Sequence, residues 1–560
     1  MRAWFKLLLV AAYLASFHGY YRERLDALGL GLPLAMFLVL FGMLAGALVL
    51  GAWTRPALVR WGLALAFALS AAMFDAYTHI TQGYLTYSAF VSMVYAGGFV
   101  DEALQQYGAA IGLAAAKASL LLVGVGLRPP AAPRLPRGLP VAAPALALLL
   151  LIGVLFVRAG EGARGLPVMY TPLAYLTLFG YESLNDSVGP RQPVSLARPG
   201  AVAARHIVLV IDESIAGNYL DINTPGGIDS HLGGGLPGAE LFNFGYAASA
   251  ANCSADTNVT LRYGGTRADY LRINATQPSI WQYAKAAGLR TVYLDGQRTG
   301  GALQNLMTRD EQRDIDQFVQ FDDTPVQERD MAAVAQLIQL LHSPTPQLIV
   351  LNKIGAHFPV HDKYPDAFMR YTPALPRGRF LDVVDTGERA GFAGGAQDWQ
   401  RYRNAYRNTL LWNVGEFFRR LLNQADLSDA VLIYTSDHGQ DLHQRGNPGL
   451  NTHCGSDPQA EEGLVPLLVL QGQGLSTLDW QAHLAQNRNG SSHYNIFPTL
   501  LLLMGYERQA VIAQYGQPLD EATHDPFTFN ARYNARLGAK PDFRFIDVKG
   551  LAEPNAAQDK

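Results

Sequence analysis

Carboxylates and imidazoles in this chain gather where apolar runs stop. Val431-Leu432-Ile433-Tyr434-Thr435 leads into Ser436-Asp437-His438-Gly439, and His206-Ile207-Val208-Leu209-Val210-Ile211 leads into Asp212-Glu213-Ser214. A third run, Leu348-Ile349-Val350-Leu351, reaches Gly355-Ala356-His357, with His361 four residues on; His443 and His453 follow the first run. A lone histidine near a loop is usually structural, but repeated acid and imidazole donors after apolar runs are harder to attribute to chance. Such donors suit zinc better than calcium or magnesium, and Asp437 and His438 on one turn can face a single zinc-sized ion. A metal site that cleaves esters also needs a nucleophile or a bound water. Asn252-Cys253-Ser254-Ala255-Asp256-Thr257-Asn258 offers hydroxyls at a helix start, where free N–H groups can receive a phosphate. Read by themselves, Ser254 and Thr257 are N-caps.

The runs that carry these groups read as buried strands at 206–211, 290–294, 347–352, 429–435 and 464–470, with helical patterns between them, for example at 279–287, 403–423 and 494–505. This alternation predicts an α/β domain with a mostly parallel sheet sandwiched by helices. In such sheets ligands sit beyond the carboxyl ends of the strands, where the acids and histidines fall.

The amino-terminal part is of another kind. The chain has 560 residues, 49% hydrophobic and 16% charged, with a net charge of −3, and residues 1 to about 160 are poor in acids. Apolar runs at roughly 3–20, 29–52, 57–76, 107–127 and 140–157 approach the ~20 residues of a bilayer-spanning helix, which predicts an α-helical bundle of five spans over 1–157. Arg2, Lys6, Arg55, Arg60, Arg128, Arg134 and Arg137 fall on one side, and the loop 77–106 holds no Lys or Arg. By the positive-inside rule the N-terminus is cytoplasmic and everything after Val157 is exported. The first run also reads as a signal peptide, an alternative that leaves the export unchanged. Lys117, inside the fourth run, is costly there; it either serves function or faces a polar gap opposite Asp75. The aromatic loop 77–106 is too apolar for a free loop and is expected along the membrane interface. Residues 158–203 read as a linker, with Tyr170, Tyr175, Phe179 and Tyr181 spaced for a surface helix or for a covering segment. Residues 204–550 are the exported domain and 551–560 a polar tail. No basic stripe points to nucleic acid.

Glu213 after a hydrophobic strand, Cys253-x-x-x-Thr257, Ile354-Gly355-Ala356-His357 followed by Tyr364-Pro365, and Ser436-Asp437-His438-Gly439 before Val465-Pro466 together resemble the phosphoethanolamine transferases, including those that modify lipid A. These are membrane-anchored enzymes of the alkaline phosphatase and sulfatase superfamily, and the likeness in architecture covers nearly the whole chain. Ser491-Ser492-His493-Tyr494-Asn495-Ile496 resembles that superfamily's closing helix. The resemblance implies a zinc held by Glu213, Asp437 and His438, with the Thr257 hydroxyl as fourth ligand and nucleophile. It implies His357 and His453 on a second zinc, on the phosphoryl oxygens or at the leaving group, with His443 as a rival to His453. The donor implied is a phospholipid, phosphatidylethanolamine above all, the acceptor an envelope lipid or glycan, and the setting a bacterial inner membrane with the catalytic domain of a monomer facing the periplasm. Phosphoglycerol transfer, simple ester hydrolysis and a non-catalytic envelope receptor are the alternatives.

This chain departs from the family in three places. Asp212 stands where the family commonly has glycine, as a further ligand or a supporting group. The segment Asp295-Gly296-Gln297-Arg298 lacks the family's lysine, which leaves Arg298 to meet the phosphate charge and the ethanolamine preference open. The family would pair Cys253 with a cysteine ten residues on, where this chain has Tyr263. Cys454 adjoins His453, so if both loops line one site a Cys253–Cys454 disulfide is expected; closing so long a loop is worth roughly 4–5 kcal/mol in the chain-entropy model. Two buried thiols or a sulfur ligand to zinc are the other readings.

Overall fold

The computed structural model describes residues 2–81, 83–95, 100–130, 136, 138–185, 190–234, 236, 238–357, 360–376, 394–446, 452–455, 457–534 and 536–551. The chain divides into two compact units, Met1–Ser187 with Ala535–Lys540, and Val188–Asn534 with Pro541–Lys560.

The first unit is helical: α1 (Arg2–Ala15), α2 (His18–Leu28), α3 (Leu32–Gly51), α4 (Ala57–Thr81), α5 (Tyr87–Tyr95), α6 (Val100–Gly126), α7 (Leu139–Val157) and α8 (Thr171–Asn185). Among the described residues, four stretches are long and apolar enough to cross a membrane: Leu32–Gly51, Ala57–Thr81, Tyr107–Gly126 and Leu139–Val157. Their outward faces keep Met36, Leu38, Val39, Leu146 and Leu149 exposed, as surfaces that meet hydrocarbon do. Over the expected first span, 3–20, the structure has a shorter apolar helix. The helix stops at Ala15, and 14 residues at 1.5 Å each reach about 21 Å, short of a hydrocarbon core of about 30 Å. Its Lys6 ammonium donates to the carbonyls of Val125 and Leu127 at the end of α6, and Arg60 Nε donates to Gly126 at 2.8 Å. Lys117 meets Asp75 at 3.2 Å, the polar pairing that the sequence allowed.

Much of the apolar loop 77–106 is helical, since α5 forms there and packs against α8. Residues 158–187 belong to this unit rather than to a separate linker. Tyr170, Tyr175 and Leu178 are buried, and the Tyr87 hydroxyl donates to Glu182 at 2.5 Å. The polar tail lies outside the described residues beyond Leu551.

The main sheet of the second unit has eight strands among the described residues: β1 (His206–Asp212), β2 (Ala239–Ala248), β3 (Arg290–Asp295), β4 (Gln317–Gln320), β5 (Gln347–Asn352), β6 (Ala430–Ser436), β7 (Leu464–Gly472) and β8 (Ser491–Ser492). Their order is β4-β3-β5-β1-β6-β7-β2-β8. The run from β4 to β6 is parallel, and β7 is antiparallel to both β6 and β2. The five expected strands are present; β2, β4 and β8 are additions. The period-two geometry of a strand explains the two cores. Val208 and Val210 of β1 join one cluster with Leu337, Tyr406 and Phe417, while Ile207, Leu209 and Ile211 join another with Trp281, Phe497 and Leu500. Helices therefore cover both faces, and polar chemistry is left to the strand ends.

Candidate metal centre

Register brings the site together. Asp212 of β1 pairs with Ser436 of β6, so the next residues, Glu213 and Asp437, leave the sheet side by side. The Asp437 N–H donates to the Asp212 carbonyl at 2.9 Å. The loops after β3 and β5 open at the same edge, because Asp295 and Ile211 both pair with Asn352.

Glu213, Asp437 and His438 each present a donor atom within 4.8 Å of one another, and all three are buried. His438 Nδ1 lies 2.7 Å from the Gly439 carbonyl. A carbonyl only accepts, so that nitrogen carries the proton and Nε2 faces the carboxylates. Asp437 Oδ1 accepts from the N–H groups of Ser214 at 3.0 Å and His438 at 2.7 Å, whereas its Oδ2 is buried with no hydrogen-bond donor. Such an oxygen calls for a cation. Burial and the neighbouring Glu213 carboxylate push Asp437 well above the usual carboxylate range. Burial would raise Glu213 too, but the His438 hydrogen bond and the charges of His357 and His438 hold it well below. For His438, burial opposes the charge while Asp437 and Glu213 favour it, and its pKa rises to about 9. Two carboxylate oxygens and one imidazole nitrogen fit a zinc-like dication, whose binding would displace the His438 proton.

The hydroxyl next to this cluster belongs to Ser254. Its Oγ lies 3.2 Å from Glu213 Oε1 and 3.1 Å from His438 Nε2, at the first residue of α9 (Ser254–Tyr263). The hydroxyl of Thr257, expected at this place, does not lie against the cluster. Thr257 sits one turn further along α9, and its buried Oγ1 accepts from the Ala251 N–H at 3.2 Å and donates to the Ala251 carbonyl.

The other residues singled out divide. His453 stacks on His438 with ring centres 4.3 Å apart; burial and the His438 charge push its pKa well below the ordinary value. His357 is near enough for its charge to act on Glu213, and neither histidine belongs to the three-donor cluster among the described residues. His443 stacks on Trp399 at 3.9 Å instead. Arg298 turns its backbone N–H to Asp295 at 3.3 Å, while its neighbour Gln297, which sequence reasoning did not single out, donates to Glu213 Oε2 at 3.0 Å and to the Lys353 carbonyl at 2.7 Å.

Asp212 is no ligand. Its carboxylate faces away from the cluster to the Lys353 ammonium and the Tyr434 hydroxyl, the latter at 2.9 Å. Lys353 is fully buried; it also lies 3.8 Å from Asp330 and 4.2 Å from the Phe417 ring centre, and it donates to the Asn413 carbonyl in the π-helical turn Leu411–Glu416. Asp330 accepts from the N–H groups of Ile354 and Gly355 at 2.8 and 3.0 Å. Gly355 itself has a φ of +48° and would press a Cβ to within 2.3 Å of Asp212 Oδ1, so only glycine permits this turn.

Cys253 and Cys454 form a disulfide with Cα atoms 5.0 Å apart, joining the start of α9 to the loop that bears His453. The Cys454 N–H also donates to the Asn252 carbonyl at 3.0 Å. Cys454 is exposed, so dithiothreitol should reach the bond. Reduction is expected to lower the stability of the second unit by about 2–4 kcal/mol, read as a fall in Tm that reoxidation reverses and that Cys253→Ser/Cys454→Ser reproduces without reductant.

An α/β sheet with a buried acid–histidine cluster and a helix-terminal hydroxyl at its carboxyl edge is an arrangement able to hold a metal ion beside a nucleophile. The sulfatase family profile matches residues 205–506, more than half of the chain, and the chain belongs to that family. No curated protein matches it. Among solved structures, it is similar to the integral membrane protein lipooligosaccharide phosphoethanolamine transferase A (EptA) from Neisseria meningitidis, at 16% identity and a TM-score of 0.63 over 92% of this chain and 97% of that one. It is also similar to the C-terminal periplasmic domain of EptC from Escherichia coli in complex with Zn, at 17% identity and a TM-score of 0.46 over 59% of this chain and 91% of that one. At these identities the likeness is one of fold.

Proposed function

We propose that this protein moves phosphoethanolamine from a membrane phospholipid to an envelope lipid or glycan, through a covalent phosphoserine ester on Ser254. The observation that carries the reading is the Ser254 hydroxyl at the start of α9, within 3.2 Å of Glu213 and 3.1 Å of His438, in a chain with four helices of membrane-spanning length and apolarity. The fold likeness to a full-length transferase, helical part included, supports the lipid donor. The disulfide supports placement of the second unit in an oxidising compartment, the periplasm. The arginines of the α3–α4 and α6–α7 loops support a cytoplasmic position for those loops.

Glu213, Asp437, His438 and the Ser254 hydroxyl are the residues that would hold zinc, which when bound supplies Lewis acidity and lowers the pKa of a neighbouring hydroxyl. Ser254 Oγ gives up its proton and attacks the donor phosphorus, the Oγ–P bond forms and the P–O bond to diacylglycerol breaks, the leaving oxygen taking up a proton in its place. The free N–H groups at the start of α9 receive the phosphoryl oxygens. His357 and His453 serve those oxygens and the leaving group. An acceptor hydroxyl then attacks phosphorus, loses its proton and releases Ser254. Gln297 holds Glu213 in place from the loop that also carries Arg298.

The test is peptide mass spectrometry after incubation with phosphatidylethanolamine. A phosphoethanolamine increment on Ser254 is expected. An increment on Thr257 would restore the threonine mechanism, an adduct from phosphatidylglycerol alone would change the donor, and released headgroup with neither adduct nor transfer would make the protein a hydrolase.

A further inference from the structure

Within the first unit, α3, α7 and the turn that follows α7 line an open groove of about 1310 Å³. That exceeds the roughly 300–1,000 Å³ of a typical small-molecule site. Its walls are apolar, with Phe37, Leu40 and Met43 from α3 and Leu150 and Val154 from α7. At Gly153 a Cβ would meet nothing within 4 Å, so this glycine leaves open space along the helix.

The charged lining is confined to the end where α3 begins and α7 stops. It consists of Arg24, Arg158 and Arg164, with no carboxylate. Arg164 is already engaged, paired with Glu23 and lying 4.8 Å from the Tyr84 ring centre. Among the described residues neither Arg24 nor Arg158 makes an ion pair, and Arg24 Nε is buried with no hydrogen-bond partner. A long apolar groove with two unneutralised guanidinium groups at one end is complementary to an amphiphile with an anionic head. Guanidinium groups bind phosphate in a forked geometry that an ammonium cannot reproduce.

We propose that this groove is a binding site for a diacyl glycerophospholipid of the bilayer, its acyl chains along α3 and α7 and its phosphate at Arg24 and Arg158. The inference rests on these helices lying in a membrane and not on the transfer chemistry, so it stands or falls apart from Ser254.

The test uses the full chain, delipidated in detergent, titrated with dioleoylphosphatidylglycerol or with dioleoylglycerol, which has the same chains and no phosphate. Tm and native mass spectrometry are the readouts. The phospholipid is expected to raise Tm saturably and to survive as a bound adduct, while dioleoylglycerol does neither. Arg24→Ala/Arg158→Ala should weaken phospholipid binding by about a hundredfold, the scale of two lost charge-assisted contacts. Gly153→Phe should abolish the adduct by filling the groove while both arginines remain. Equal binding of dioleoylglycerol, or an adduct retained in both variants, would overturn the proposal and leave only a bulk lipid belt.

Discussion

Ser254→Ala should lower transfer by roughly 10⁴- to 10⁶-fold, the scale on which loss of a covalent nucleophile acts when the rest of the site survives. Thr257→Ala should leave transfer largely intact and cost about 1 kcal/mol of stability, for the hydrogen bonds its hydroxyl makes with Ala251. The contrast follows from helix geometry. Three residues of α-helix rise about 4.5 Å, so Thr257 stands a full turn behind Ser254, and its Oγ1 is already engaged with backbone. The three charged donors are untouched in Ser254→Ala, so zinc binding measured by calorimetry should persist while the phosphoethanolamine adduct disappears. Full turnover in Ser254→Ala, or an adduct surviving in it, would remove serine from the mechanism.

The parts of this site that were legible in the sequence are those fixed by backbone alone. Apolar runs that end in Asp212-Glu213 and Asp437-His438 could only be buried strands with their acids at one edge, and the parallel register put Glu213 beside Asp437. The structure brings Ser254 rather than Thr257 against the cluster, a placement that the Cys253-x-x-x-Thr257 spacing, matched to a family pattern, did not suggest. In this chain Cys253 is the N-cap itself and pairs with Cys454 rather than with a cysteine ten residues on. Gln297 and Lys353 were not legible, since a side chain that reaches across from a neighbouring strand leaves no periodicity behind. Lys353 did leave one trace: a lysine directly after the apolar strand β5, level with the unexplained acid Asp212.

Lys353→Met is expected to destabilise the second unit by roughly 3–5 kcal/mol at neutral pH, because it strips the cation from two buried carboxylates. Asp212, Asp330 and Lys353 are all fully buried, so water cannot take over the lost pairing. With the lysine present, burial already raises Asp330 to about 6, against the lowering influence of the Lys353 charge; burial raises Asp212 as well. Without the lysine both carboxyls rise further. A group whose folded pKa lies above its unfolded value of 3.8 contributes stability that is complete below the unfolded value and is lost as pH climbs through the folded one. The deficit of Lys353→Met should therefore be small near pH 4, open between about pH 4 and 7, and stay open above. Adding Asp330→Asn should recover part of it at pH 7, since one uncompensated charge is then gone. Thermal unfolding of the full chain in detergent across that range is the measurement; a deficit equal at pH 4.5 and pH 8 would show that the lysine acts through packing on Phe417 alone. The same substitution should weaken zinc binding, because Asp212 precedes Glu213 and Asp330 holds the turn that leads to His357. The ammonium that stabilises the sheet edge thus also steadies the two loops that carry Glu213 and His357.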